Sequence, residues 1–101
     1  MKDVKHIVIK KGIKVNELVR EMENSGVMGA GSIARAANIF EKMVNDKECK
    51  VYLGMAGAMV PGGMKNIIID MIKNELIDVF VTTGANLTHD LVEGLGHKHY
   101  Q

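Results

Sequence analysis

The sequence predicts an α/β fold, a portion of a doubly wound parallel sheet with helices on both faces. Three observations carry this prediction. From Ile33 onward, segments of helical and strand pattern alternate, the order that builds parallel sheets covered on both sides. Two short apolar runs, Lys50–Leu53 and Ile77–Val81, are each followed by a loop and then a helix. The helices also carry wide apolar faces that so few strands cannot cover, and at least one sheet edge is left open. The sheet is therefore expected to be completed by another chain or by a missing segment.

Each element has its own signal. Lys5–Lys10 (KHIVIK) is β-branched and short, which fits a strand or an extended arm. Val15–Asn24 places Val15, Leu18, Val19 and Met22 at helical spacing, and Ser25–Gly26 ends it. Glycines 26, 29 and 31 mark a loop, with Ser32 as N-cap of a helix from Ile33 to Val44. Ile33, Ala37, Phe40, Met43 and Val44 form the apolar side of that helix. After the strand Lys50–Leu53, GMAGAMVPGG reads as a loop of small residues. Met64–Asn74 is the next helix, with Ile67, Ile68, Met71 and Ile72 as its apolar set. Ile77–Val81 is the second strand, and Leu87–Leu95 is a helix capped by Asn86 or Thr88. The 101 residues hold no repeat and no linker, so residues 1–101 are expected to be one domain, incomplete by itself.

Composition narrows the function. A net charge of +1 provides no field to gather nucleic acid or an acidic membrane. Two tyrosines and two phenylalanines are too few for base-stacking platforms. Cys49 is the only cysteine, so no intrachain disulfide can form. No run approaches the ~18 apolar residues of a membrane span, and the N-terminus lacks an apolar signal core. A cytoplasmic protein, with no membrane and no nucleic-acid partner, is expected.

Three segments are candidate ligand loops. GAGSIA, from Gly29 to Ala34, fits a dinucleotide fingerprint, but a helix rather than a strand precedes it. The ordinary reading is a helix–helix turn, where glycines permit positive φ and close packing. LGMAGAMVPGGM follows a strand and precedes a helix whose free N–H groups at Met64 would favour an anion. The ordinary reading there is a loop that packs against its neighbours. VTTGANLTHD also lies at the carboxyl end of a strand, where open parallel sheets bind ligands. Cap chemistry by Asn86 or Thr88, with Asp90 as a first-turn acid, explains the same residues. His89 has the chemistry of a general base, though a lone histidine in a first turn is usually a surface residue. His97 and His99 lack the partners of a metal site, so no metal is expected.

The two strand-end loops together, LGMAGAMVPGGMKNIIIDMIKNELIDVFVTTGANLTHDLVEGLG, resemble the deoxyhypusine synthases and deoxyhypusine synthase-like proteins. The upstream GSIARAANIFEKM resembles that family too, and the likeness runs from about Ile13 to Tyr100. It implies a Rossmann-like sheet, NAD as cofactor and a polyamine substrate, spermidine or a related amine. It implies transfer of an aminobutyl group through an imine on a lysine to a lysine of a translation factor, or to another amine. It also implies a tetrameric homo- or hetero-oligomer with sites at subunit interfaces. Carried over position by position, NAD-facing residues are Gly57, Ala58, Met59, Val60 and Pro61, then Thr83, Gly84 and Ala85. The family often has Ser-Asn at the places of Gly57 and Ala58, and Ser at Pro61, so only backbone contacts remain there. Thr88 and His89 stand where the eukaryotic type holds its polyamine with two glutamates. The catalytic lysine falls in the part of the family pattern beyond Gln101, so no catalytic residue is expected in this chain. A companion chain, a processed or split gene, or a truncated chain would account for that, and the chain alone would be inactive. A non-catalytic assembly or activating subunit is the alternative.

Overall fold

The computed structural model describes residues 3–100; Met1, Lys2 and Gln101 lie outside the described residues. Its elements are α-helices α1 (Val15–Ser25), α2 (Met28–Asn45), α3 (Lys65–Lys73) and α4 (Gly84–Gly94), and strands β1 (Tyr52–Met55) and β2 (Val79–Thr82). The fold is α/β, with the two strands parallel. The chain divides into two compact units, Met1–Asn45 and Asp46–Gln101.

The first unit is a helix pair preceded by an arm. Residues 5–10 form no strand; the arm is held to α1 where Val8 N–H donates to Glu21 Oε2 at 3.0 Å. Of the two readings of KHIVIK, the extended arm is the one observed, because among the described residues no neighbouring strand pairs with it. Helix α1 begins where the Glu17 carboxylate accepts the Lys14 N–H at 2.9 Å. It ends at Gly26, whose φ of 66° is left-handed and whose N–H closes on Met22 O at 3.0 Å.

Glycines 29 and 31 do not form the expected loop. Helix α2 starts at Met28 and contains both, so Ser32 is an exposed residue inside the helix and not its cap. Close approach is the physical reason. A Cβ on Gly31 would stand 2.5 Å from the carbonyl oxygen of Gly26, so only glycine lets α2 leave so tight a turn. The buried face of α2 is Gly31 and Ala34, while Ile33 is 53% exposed and Ala37 is exposed. Asn38 adds a bond across the helix pair, Nδ2 to Glu23 Oε1 at 2.8 Å. With α2 running through Gly29–Ala34 and no strand before it among the described residues, GAGSIA is not a dinucleotide turn.

The second unit holds the sheet. Strand β1 pairs with β2 in the register Tyr52↔Val79 to Met55↔Thr82. Asp78 fixes the entry to that register. Its Oδ2 accepts Val51 N–H at 2.8 Å, and Val51 O accepts the N–H groups of Asp78 and Val79 at 2.9 and 3.1 Å. Lys50 Nζ completes the arrangement at 2.9 Å from Oδ1. Lys50 and Val51 are thus used in the turn-in, and β1 extends instead to Met55. The core beneath is Val51, Val60, Ile68 and Ile77, all buried. Helix α3 links the strands and turns Ile68 inward, leaving Ile67 and Ile72 54% and 48% exposed. Along α4, Leu87, Leu91 and Leu95 are exposed as well.

The loop after β1 is more ordered than its composition predicts. Val60–Met64 forms a wide π turn, closed by Met64 N–H on Met59 O at 3.0 Å, with Gly63 at φ 87° inside it. Pro61 fits the start of this turn, where no N–H is needed.

Candidate functional site

Parallel pairing decides what comes together. Met55 and Thr82 are register partners at the carboxyl ends of their strands, so the loops that follow leave from the same end of the sheet. The first carries Gly57, Ala58, Met59, Val60 and Pro61; the second carries Thr83 and runs into Gly84 and Ala85 at the start of α4. Gly57, Ala58, Met59, Thr83, Gly84 and Ala85 are exposed, Pro61 is half-buried, and Val60 is buried at 8% exposure. Val60 therefore faces the protein and supports the loop from below.

Asn86 joins the two loops. It is 2% exposed, the most deeply buried polar side chain of the described residues. Its Oδ1 accepts the Val60 N–H at 3.3 Å, and its Nδ2 donates to Thr82 Oγ1 at 3.0 Å. Thr82 Oγ1 in turn donates to Met55 O at 3.0 Å. The chain of bonds runs from the first loop through α4 to β2 and back to β1. Asn86 is thus no N-cap: the residue before the helix is Thr83, extended and without a side-chain cap bond. Neither is Thr88, which lies within α4 and donates its hydroxyl back to Gly84 O at 2.9 Å. An asparagine in a first turn normally signals a cap; its being four residues after a strand-end threonine is the only sequence sign of this other use.

The anion reading at Met64 loses two of its amides. The π turn consumes the N–H of Met64, and Gly62 N–H closes on Ala58 O at 2.9 Å. The start of α4 is different. Asn86 N–H bonds to Thr83 O at 3.2 Å, while the Gly84 and Ala85 amides precede any intrahelical acceptor. A Cβ on Gly84 would meet nothing within 4 Å, so glycine there leaves the backbone bare rather than meeting a packing need.

Beside the loops, α4 bears a polar cluster. Lys65 Nζ reaches Asp90 Oδ1 at 2.6 Å and Glu93 Oε2 at 3.1 Å. Glu93 Oε1 meets His99 Nδ1 at 2.9 Å, and His99 Nε2 meets His89 Nδ1 at 2.9 Å. The His99 bond first, and then Lys65, hold the Glu93 carboxyl below its ordinary range. Asp90, and then Glu93, push the Lys65 ammonium above its own. His99 reaches the cluster because the chain reverses after α4: Gly96 has φ 91°, and Gly96 and His97 N–H close on Glu93 O and Val92 O. His97 is exposed. Among the described residues no group of three or more His, Cys, Asp or Glu is placed to hold a metal ion. Likewise no described helix is long and apolar enough to cross a membrane.

An apolar groove of about 150 Å³ lies under the loops, lined by Met55, Ile68, Ile72, Phe80 and Leu87. It is too small for a dinucleotide, since drug-sized ligands already take roughly 300–1,000 Å³. A ligand of that size would have to lie on the exposed loops.

Fold and site together define an α/β protein with two linked loops at the carboxyl ends of parallel strands. A family model described as deoxyhypusine synthase matches residues 17–101, and the chain belongs to that family. It is 46% identical to a probable deoxyhypusine synthase of Methanothermobacter thermautotrophicus over 99 residues, covering 98% of this chain and 32% of that protein. A probable deoxyhypusine synthase of Methanosarcina thermophila is 47% identical, with 97% of this chain and 31% of the relative covered. A deoxyhypusine synthase-like protein of Elusimicrobium minutum is 39% identical, over 97% of this chain and 26% of the relative. The chain thus spans about a third or less of the length of these curated relatives. No solved structure matches the chain.

Proposed function

We propose that this chain supplies the NAD- and amine-facing loops of an aminobutyl transferase of the deoxyhypusine synthase type. One observation carries the reading: the two loops that resemble the family leave from one end of the sheet and are tied together by Asn86. The residues fit NAD through backbone more than side chain. Gly57, Ala58 and Pro61 offer no polar side chain, whereas Gly84 and Ala85 offer amides at the positive end of α4, suited to a diphosphate. The Thr83 hydroxyl makes no cap bond and is exposed toward solvent, where a ribose or phosphate could take it. When bound, NAD supplies a hydride acceptor for oxidation of an amine. The role of this chain is to hold cofactor and amine, with Thr88 and His89 on the amine side. The lysine that carries the aminobutyl group comes from a companion chain or a longer chain. The exposed apolar residues of α3 and α4 support a tight assembly, a homo- or hetero-tetramer on the family pattern. Spermidine or a related amine is the donor, and a translation-factor lysine or another amine is the acceptor.

Calorimetric titration with NAD of the assembled protein tests this. Thr83→Val and Gly84→Val are expected to weaken binding by roughly tenfold or more without unfolding, because Thr83 is exposed and valine is its isostere, and a Cβ at Gly84 meets nothing within 4 Å. NADH formation on addition of spermidine is expected from the assembly and not from the chain alone. A verified assembly that neither binds NAD nor forms NADH would overturn the proposal. It would favour a non-catalytic assembly subunit, the reading that Gly57, Ala58 and Pro61 support.

A further inference from the structure

The bonds from Glu93 to His99 to His89 have a chemical direction. A carboxylate only accepts, so the neutral His99 ring must carry its proton on Nδ1, facing Glu93 at 2.9 Å. His99 Nε2 is then a lone pair, and the bond at 2.9 Å requires His89 to donate from Nδ1. The rings meet edge-on, with centroids 4.9 Å apart and planes at 63°, which suits an N–H pointing at a ring nitrogen and not a stack. His89 Nε2 is consequently an acceptor, and no bond to it is found among the described residues. His89 and Glu93 stand one turn apart on α4, and the carboxylates of Asp90 and Glu93 are both paired with Lys65. A ring nitrogen with only a lone pair suits an N–H donor and disfavours an anion.

We infer that Glu93 and His99 are positioning residues that lock His89 as the Nδ1–H tautomer, so that its Nε2 accepts a hydrogen bond from the ammonium group of an alkylamine ligand. The ammonium part of this inference rests on the proposed function; the tautomer part does not. Long-range 15N–1H correlation spectra of the full chain, labelled in histidine, read both rings directly at neutral pH. Nδ1–H forms are expected for His89 and His99. In His99→Phe, His89 is expected to change to a population dominated by Nε2–H, while the amide spectrum shows the fold retained. Should that variant fail to fold, Glu93→Ala carries the same test, since without the carboxylate nothing holds the His99 proton on Nδ1 and both rings should move to Nε2–H forms. Spermidine, added at constant ionic strength, is expected to shift the His89 Nε2 resonance in the parent and not in His99→Phe. An Nε2–H form of His89 in the parent, or a tautomer unaffected by both variants, would overturn the relay. Correct tautomers with an Nε2 resonance that spermidine leaves unmoved would overturn the ammonium contact, whatever NAD titration gives.

Discussion

Replacing Asn86 by alanine tests the link between the two loops. The structure sets the magnitude. The substitution removes one long bond, from Val60 N–H at 3.3 Å, and one of ordinary length, to Thr82 Oγ1 at 3.0 Å. Neutral bonds of this kind contribute roughly 0.5–1.5 kcal/mol each, and a buried donor left without a partner costs about 1–3 kcal/mol. Val60 is only 8% exposed, so its N–H pays most of that cost, whereas Thr82 Oγ1 keeps its bond to Met55 O. The sum is about 2–4 kcal/mol, a large part of the roughly 5–15 kcal/mol typical of a folded domain. Tyr52 and Tyr100 are the only tyrosines and both lie in the unit Asp46–Gln101, so tyrosine fluorescence in urea follows that unit alone. At about 1 kcal/mol/M the midpoint should fall by roughly 2–4 M, or the unit should be unfolded from the start. A double-mutant cycle with Thr82→Val should give a coupling of about 0.5–1.5 kcal/mol. A loss below about 0.5 kcal/mol for Asn86→Ala would show that these bonds are not made or that water replaces them fully, and the reasoning would fail.

Other expectations concern packing, charge and cofactor. Gly31→Ala gains helix propensity but places a methyl 2.5 Å from Gly26 O; it should lower the stability of the helix pair by about 1–3 kcal/mol, visible as loss of amide exchange protection in α1 and α2. Gly84→Ala, with open space around its Cβ, should leave the melting temperature within a degree or two and change only NAD affinity in the assembly. Val51 N–H, then Lys50, hold the Asp78 carboxyl below its ordinary value of 3.8, and Glu93 lies below 4.5. Carboxyls that bind fewer protons folded than unfolded stabilise the fold above those values, and this contribution is lost as pH falls through the folded ones. Lys50 and Lys65, raised above 10.5, stabilise below that value and lose the contribution as pH climbs through their folded ones. These four groups should contribute no slope between those limits, and Asp78→Asn should flatten part of the acid limb, as followed by thermal melts across pH. High salt should shrink both limbs, because the pairs are solvent-exposed.

Much of the second unit was legible because its signals are local. Alternating patterns gave β1, α3, β2 and α4 to within a few residues, and the placing of both loops at strand carboxyl ends followed from the order alone. What stayed hidden depends on partners distant in sequence. Glycine marks a turn and a close helix contact with the same letter, so Gly29 and Gly31 read as loop until Gly26 O is seen against Gly31. Asn86 has the composition of a cap, but its Val60 partner is 26 residues away. His89 and His99 meet only because the chain doubles back at Gly96. The arm at residues 5–10 has the composition of a strand but no strand to pair with among the described residues.

The bond from Asn86 to Val60 also bears on the thermodynamics of ligand capture. Loops that order only on binding subtract their conformational entropy from affinity. Here one amide already immobilises the first loop against the helix that opens the second, so that entropy is surrendered when the chain folds. On the proposed function, a ligand held by both loops would meet a first loop already tied to α4, leaving more of its binding energy for the contacts themselves. By linkage the same ligand must protect the tied loops against unfolding, and a variant that frees the first loop should bind more weakly while touching no ligand atom.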